Sequence, residues 1–263
     1  MPQGPLVYRQ RLLTRITHWV WAVALFFLML TGLQIFNAHP SLHIGKEAGF
    51  AYDNAILEIG AREVGGELQG VTRVFGTEFE TTGFLGVSDG TVRAIPAALT
   101  IPSNQSLATG RVIHFFFAWA LVGTLSLWLV ASVLNGHLRQ LFPTLADLRA
   151  LPRDIADHAR LRFQHTARYS VLQKLAYASV LFLALPLMIL TGLSMSPGFN
   201  AAAPWLLDLF QGRQTARTIH FLTMLALLGF FAVHMAMILL AGPLNEMRSI
   251  LTGWYRTDGE QDV

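Results

Sequence analysis

The sequence predicts an all-α membrane protein, a bundle of four transmembrane helices with an extracytoplasmic insert between the first two. Three observations predict it. Only 13% of the 263 residues are charged, against roughly 25% in an average soluble domain. Four long runs, 16–45, 112–138, 175–207 and 218–245, contain no Asp, Glu, Lys or Arg. The remaining charges are distributed unevenly among the connections. The same composition argues against a disordered chain, and a net charge of +3 is too small to attract a polyanion, so no nucleic-acid partner is expected. There is no cysteine, which excludes disulfides, Cys-ligated iron–sulfur clusters and a catalytic thiol.

A helix needs about 20 apolar residues to cross the hydrocarbon core, which places spans near 17–36, 112–134, 173–195 and 218–241 in a single membrane domain, 1–263. The first run exceeds the roughly 7–15 apolar residues of a signal peptide and is read as a retained span. Orientation follows from Lys and Arg at the span ends. Arg9, Arg11 and Arg15 precede span one with no acid, and the 139–168 connection carries six Arg against three Asp. The segment 37–109 has four bases and eight acids. Both termini and the 139–168 loop are therefore expected in the cytoplasm, and 37–109 on the outer side. In that insert Asp89-Gly90, flanked by Val87 and Thr91-Val92, reads as a hairpin turn. The 142–168 stretch reads as an interfacial helix broken at Pro152, its charges solvated.

Ionisable residues inside spans are rare and default to a functional hypothesis. Here they are histidines: His18 in span one, His114 in span two, His220 and His234 in span four. Fourteen residues separate the last two, about 21 Å of helix at about 1.5 Å per residue, and they fall on one face. Topology then gives two levels, His114 with His220 outside and His18 with His234 inside. One transmembrane histidine is ordinarily a hydrogen-bonded packing residue. Two depth-matched pairs are what bis-histidine ligation of two b haems in a helical bundle requires.

A repeated motif accompanies the histidines: Arg15-Ile-Thr-His18, Arg111-Val-Ile-His114 and Arg217-Thr-Ile-His220, with Lys174-Leu-Ala-Tyr177 in span three. A base at i, i+3 lies on the ligand's face nearer the interface, where Arg15, Arg111 and Arg217 could pair with haem propionates. Snorkelling is the alternative, and suits Arg15 and Lys174 better than the two outer arginines. Spans one and three share Leu30-Thr31-Gly32-Leu33 and Leu190-Thr191-Gly192-Leu193. Gly32 could let a macrocycle approach the backbone or serve helix packing equally well. His39 and His43 flank Pro40 and lack a third zinc ligand, His137, His158 and His165 read as solvated, and the methionines read as packing.

These segments resemble the prokaryotic di-haem cytochrome b family (cytochrome b561-like; the membrane b subunits of Ni-Fe hydrogenases, formate dehydrogenases and thiosulfate reductases). The resemblance is carried by Arg15–Trp19 with Thr31-Gly32, Asn37–Pro40, Ala108–Trp119, Tyr169–Tyr177 and Gln211–Phe221. It spans most of the chain and is greatest to the branch paired with molybdopterin oxidoreductases. It implies an electron-transfer subunit in the bacterial inner membrane, connecting a periplasmic oxidoreductase or other redox protein with the quinone pool. It also implies haem-iron ligation by His18 with His234 and by His114 with His220. A quinone near the inner haem would meet Arg15, His137, Gln173 or Lys174. No substrate chemistry of the chain's own is evident. Two alternatives stay open: a stand-alone membrane cytochrome acting on a small species such as superoxide with quinone as co-substrate, and a transporter using histidines as proton relays.

Overall fold

The computed structural model describes residues 4–49, 52–163, 165–166 and 168–259. Four helices in it are long and apolar enough to cross a membrane: α1 (Leu12–Phe36), α2 (Leu107–Leu134), α4 (Val171–Met195) and α5 (Arg213–Ala241). Large apolar side chains are exposed along them, Trp119 by 64% and Leu239 by 65%, as expected where lipid rather than protein is the neighbour. Each helix begins a few residues ahead of its apolar run. The extra turn carries the polar residues, whose solvated side chains can sit at the interface. In α4 the start is set by a capping box in which Ser170 Oγ accepts from Gln173 N–H and Gln173 accepts from Ser170 N–H, satisfying two backbone donors that a helix start leaves open.

The chain divides into two compact units. One comprises residues 22–121 and 187–224 and contains the insert. The all-α class describes the spans, while the insert is a β structure that includes the hairpin expected at Asp89-Gly90. Strands β2 (Ser41–His43), β3 (Ala55–Val64), β4 (Glu67–Val74) and β5 (Thr77–Glu80) form an antiparallel sheet in sequence order, and β6 (Val87–Ser88) pairs with β7 (Thr91–Val92). Alternation of apolar and polar residues in short runs, with turns between them, favours strands over helix. Three two-residue turns set the registers, and both central residues have positive φ in each: Gly65-Gly66, Phe75-Gly76 and Asp89-Gly90. That twist matches a right-handed hairpin. Phe36, Leu42, Ile59, Ala94 and Ile95 form the core beneath the sheet. Beside it the buried Arg93 donates to the Ile95 and Ser103 carbonyls, to Gln34 Oε1 of α1 and to Thr100 Oγ1. Four neutral acceptors thus satisfy a cation that would be costly to bury unpaired.

The other unit comprises residues 1–21, 122–186 and 225–263. Its two chain ends are tied together. Strand β1 (Leu6–Tyr8) pairs antiparallel with β8 (Trp254–Arg256), and the Arg9 guanidinium lies over the rings of Tyr169 and Tyr255. Burial pushes the Tyr255 hydroxyl above its ordinary range. The connection holds α3 (Leu145–Ala159), followed later by α6 (Pro243–Thr252). Helix α3 is not broken at Pro152, contrary to the sequence reading. The proline removes one hydrogen bond, while a Thr144–Asp147 capping box, an ion pair from Asp147 to Lys174 (2.8 Å) and a bond from Leu172 N–H to Asp154 hold the helix on either side of it. The charges on this helix are therefore only partly solvated. His158 and His165 also depart from the solvated reading, with side chains 21% and 13% exposed. His158 contacts Asp154, and His165 contacts Asp258 and the Ala241 carbonyl.

Candidate functional site

In the unit that contains the insert, α2 and α5 bring His114 and His220 to face each other, with ring centres 6.5 Å apart and planes inclined by 56°. In the other unit α1 and α5 do the same for His18 and His234, at 6.4 Å and 54°. The two separations are nearly equal, and they are informative. A hydrogen bond of about 2.9 Å between ring nitrogens would put the centres about 5 Å apart. Two metal–imidazole bonds of about 2 Å put them about 6 Å apart, because each nitrogen adds roughly 1 Å to its own ring centre. Both pairs match the second geometry.

The surroundings of the His114–His220 pair are duplicated. Thr31 Oγ1 lies 3.0 Å from His114 Nδ1, and Thr191 Oγ1 lies 2.9 Å from His220 Nδ1. Both threonines have no exposed surface. Each hydroxyl donates to the carbonyl one turn back, Thr31 to Phe27 (2.6 Å) and Thr191 to Leu187 (2.7 Å). With its proton committed, the oxygen can only accept from the ring, so Nδ1 carries the hydrogen and Nε2 is left with its lone pair. Glycine follows each threonine. A Cβ on Gly32 would lie 3.5 Å from His114 Cε1, and one on Gly192 would lie 3.4 Å from His220 Cε1. The glycines thus form a cradle that any larger side chain would fill. In the second pair, the buried Nδ1 of His18 has no hydrogen-bond partner among the described residues. Neutral imidazole donors, a ring separation suited to an intervening metal and a glycine cradle fit a planar b-type haem.

The basic residues are less uniform. Arg217 donates to the His39 carbonyl and lies against the Phe36 ring, Arg111 is exposed over Phe115, and Arg15 donates to the Leu251 carbonyl. Among the described residues none of the three has a carboxylate partner. Of the expected quinone contacts, Gln173 is committed to the α4 cap and Lys174 to Asp147, while the His137 ring meets Trp128 edge-on. His39 and His43 belong to no helix. His39 Nδ1, Ser41 Oγ, His43 and Asn54 form a hydrogen-bonded chain (2.6, 3.1 and 3.2 Å). Burial and then the Arg217 guanidinium hold His39 below the ordinary histidine range. Thr31, Thr191 and Gly192 are the site residues that sequence reasoning did not select. The repeated Leu-Thr-Gly-Leu motif was the signal that could have found them.

Facing imidazole pairs on long apolar helices point to a class: integral-membrane proteins in which two helices could grip one metal centre between them. Comparison with known families makes the class specific. The chain belongs to the prokaryotic cytochrome b561 family, whose model matches residues 9–253, and is accordingly a multi-pass bacterial membrane protein of b-haem electron transfer. Among curated proteins it is similar to a chain of Azospira oryzae, 26% identical over 230 residues that cover 86% of this chain and 87% of the relative. That relative bears the provisional name protein-methionine-sulfoxide reductase subunit YedZ1.

Proposed function

We propose that this chain is a di-haem b-type cytochrome, the membrane subunit that transfers electrons between a periplasmic oxidoreductase and the quinone pool. The observation that carries the proposal is the equal separation of the two histidine pairs, 6.5 and 6.4 Å, which suits a metal between the rings at both places. Haem supplies reversible one-electron chemistry at a metal, which side chains alone do not offer. His114 and His220 hold one group and His18 and His234 the other. Gly32 and Gly192 leave room at the first, and Arg15, Arg111 and Arg217 supply positive charge for propionates. A reductase subunit name on the Azospira relative supports a catalytic partner, for which the family resemblance suggests a molybdopterin enzyme. Quinone exchange belongs near His18 and His234, on the side where Arg15, His137, Gln173 and Lys174 are expected to meet it. A proton-relay role for the histidines is disfavoured because the rings of each pair stand too far apart for direct transfer.

The test is a reduced-minus-oxidised visible spectrum of the purified chain, with haem quantified as its pyridine complex. About two non-covalent b haems per chain are expected, about one in His220→Ala and about one in His18→Ala. A folded, colourless chain that takes up no added haem overturns the proposal. Co-purification with a molybdenum-containing protein distinguishes a subunit from a stand-alone cytochrome.

A further inference from the structure

The proposal of bis-histidine ligation leaves open what decides which ring nitrogen faces the iron and how basic that nitrogen is. At His114 and His220 the same device appears twice, built by different helices. A fully buried threonine donates backwards along its own helix, accepts from the imidazole of a neighbouring helix, and is followed by a glycine against the imidazole Cε1. The distances repeat to 0.1 Å: 3.0 and 2.9 Å for oxygen to Nδ1, 3.5 and 3.4 Å for the Cβ position to Cε1. Isolated threonines in apolar helices ordinarily complete their hydrogen bonding with the backbone one turn back. These two do that and then present the remaining lone pair to a second helix.

We propose that Thr31 and Thr191 are positioning residues for the His114–His220 centre. Each holds its imidazole as the Nδ1–H tautomer with Nε2 turned to the metal, and together they lower that centre's midpoint potential. The direction follows from ligand basicity. A ring whose Nδ1–H is hydrogen-bonded gives a more basic Nε2, and a more basic ligand favours the oxidised iron, which carries the greater positive charge. Gly32 and Gly192 act with the threonines: a Cβ there would already be in van der Waals contact with the imidazole Cε1 atom, so a longer side chain would crowd the ring and disturb the orientation the hydroxyl sets.

The inference rests on haem ligation by these histidines, so the experiment reports on both. Full-length protein is titrated potentiometrically while its visible spectrum is followed, and the ferric low-spin signals are recorded by electron paramagnetic resonance. Thr31→Val and Thr191→Val keep shape and remove the hydroxyl, whereas Thr31→Ser and Thr191→Ser keep the hydroxyl. Each valine variant is expected to move the same one of the two midpoints upward and alter one of the two ferric signals, with the serine variants close to the parent. Loss of one haem from a valine variant but not from its serine counterpart supports the same role, because the retained hydroxyl then decides occupancy. Two haems with midpoints unmoved by valine overturn the threonine role and leave ligation standing. Equal shifts in valine and serine variants also overturn it, since packing rather than hydrogen bonding would be the cause. A parent chain that takes up no haem overturns ligation and this inference together.

Discussion

An imidazole inside a membrane has two nitrogens to satisfy and little water to help, so what each nitrogen meets decides what the residue can do. At His114 and His220 the threonine hydroxyls answer for one nitrogen and leave the other available. The histidines themselves were legible in the sequence because they interrupt otherwise inert runs at matched depths. The threonines were not, because a buried Thr has a common local explanation and the partner of Thr31 lies 83 residues away on another helix. A different residue pair governs acid stability. The Lys174 ammonium and the Thr144 N–H hold the Asp147 carboxyl at about 2, below its ordinary 3.8. Because the folded value is the lower one, the pair stabilises the fold fully above the unfolded value and is lost as pH falls from 3.8 through about 2. Thermal unfolding of Asp147→Asn should accordingly show a lower midpoint than the parent near neutrality and a shallower decline on acidification. Parallel declines in the two proteins would remove Asp147 from the account.

Helices α1 and α4 are variations on one plan. The sequence aligns Arg15-x-x-His18 with Lys174-x-x-Tyr177, and Thr31-Gly32 with Thr191-Gly192. Thirteen positions lead from His18 to Thr31 but fourteen from Tyr177 to Thr191. The additional residue is absorbed by a π turn at Val180–Ala184, the usual way a helix takes one insertion without losing its face. Pro186, which cannot donate to the Phe182 carbonyl inside that turn, favours the wider winding. Periodicity alone could not reveal this, since a run apolar on every side looks the same in either winding. The insert was poorly legible for another reason. Its Asp89-Gly90 turn stands out, yet Phe75-Gly76 has the same geometry and an uninformative first residue, and the three-residue β1 and β8 meet across almost the whole chain. If the π turn compensates an insertion, deleting the exposed Leu183 should restore α-helical winding and keep Thr191 and Gly192 in place. Deleting Ile189, beyond the turn, should instead rotate them by about 100°. On the proposed di-haem reading, the first variant is expected to retain thermal stability and the parent's haem content, and the second to lose stability and the haem assigned to His114 and His220. Equal damage from both deletions would mean that the π turn serves packing alone.

For the molecule as a whole, the number of spans and the pairing of chain ends constrain orientation together. Four crossings return the chain to its starting side, and β1 pairs with β8 within one unit, as such a return requires. Which side this is depends on charge. Arg9, Arg11 and Arg15 with the six arginines of 139–168 lie at the ends predicted to stay inside, while the insert carries twice as many acids as bases. Positive residues resist translocation, and short connections weigh more than long ones. The absence of cysteine makes the orientation directly measurable, because a single introduced thiol is the only one that a maleimide can modify. Glu67→Cys, on an exposed position of β4, and Arg149→Cys, on an exposed position of α3, probe the two sides. In intact spheroplasts a membrane-impermeant maleimide should label Cys introduced at 67 and spare that at 149 until the membrane is broken. The reverse pattern would place the insert in the cytoplasm, put the His114–His220 centre at the wrong face for a periplasmic partner, and require the partner assignment to be abandoned even if both haems are present.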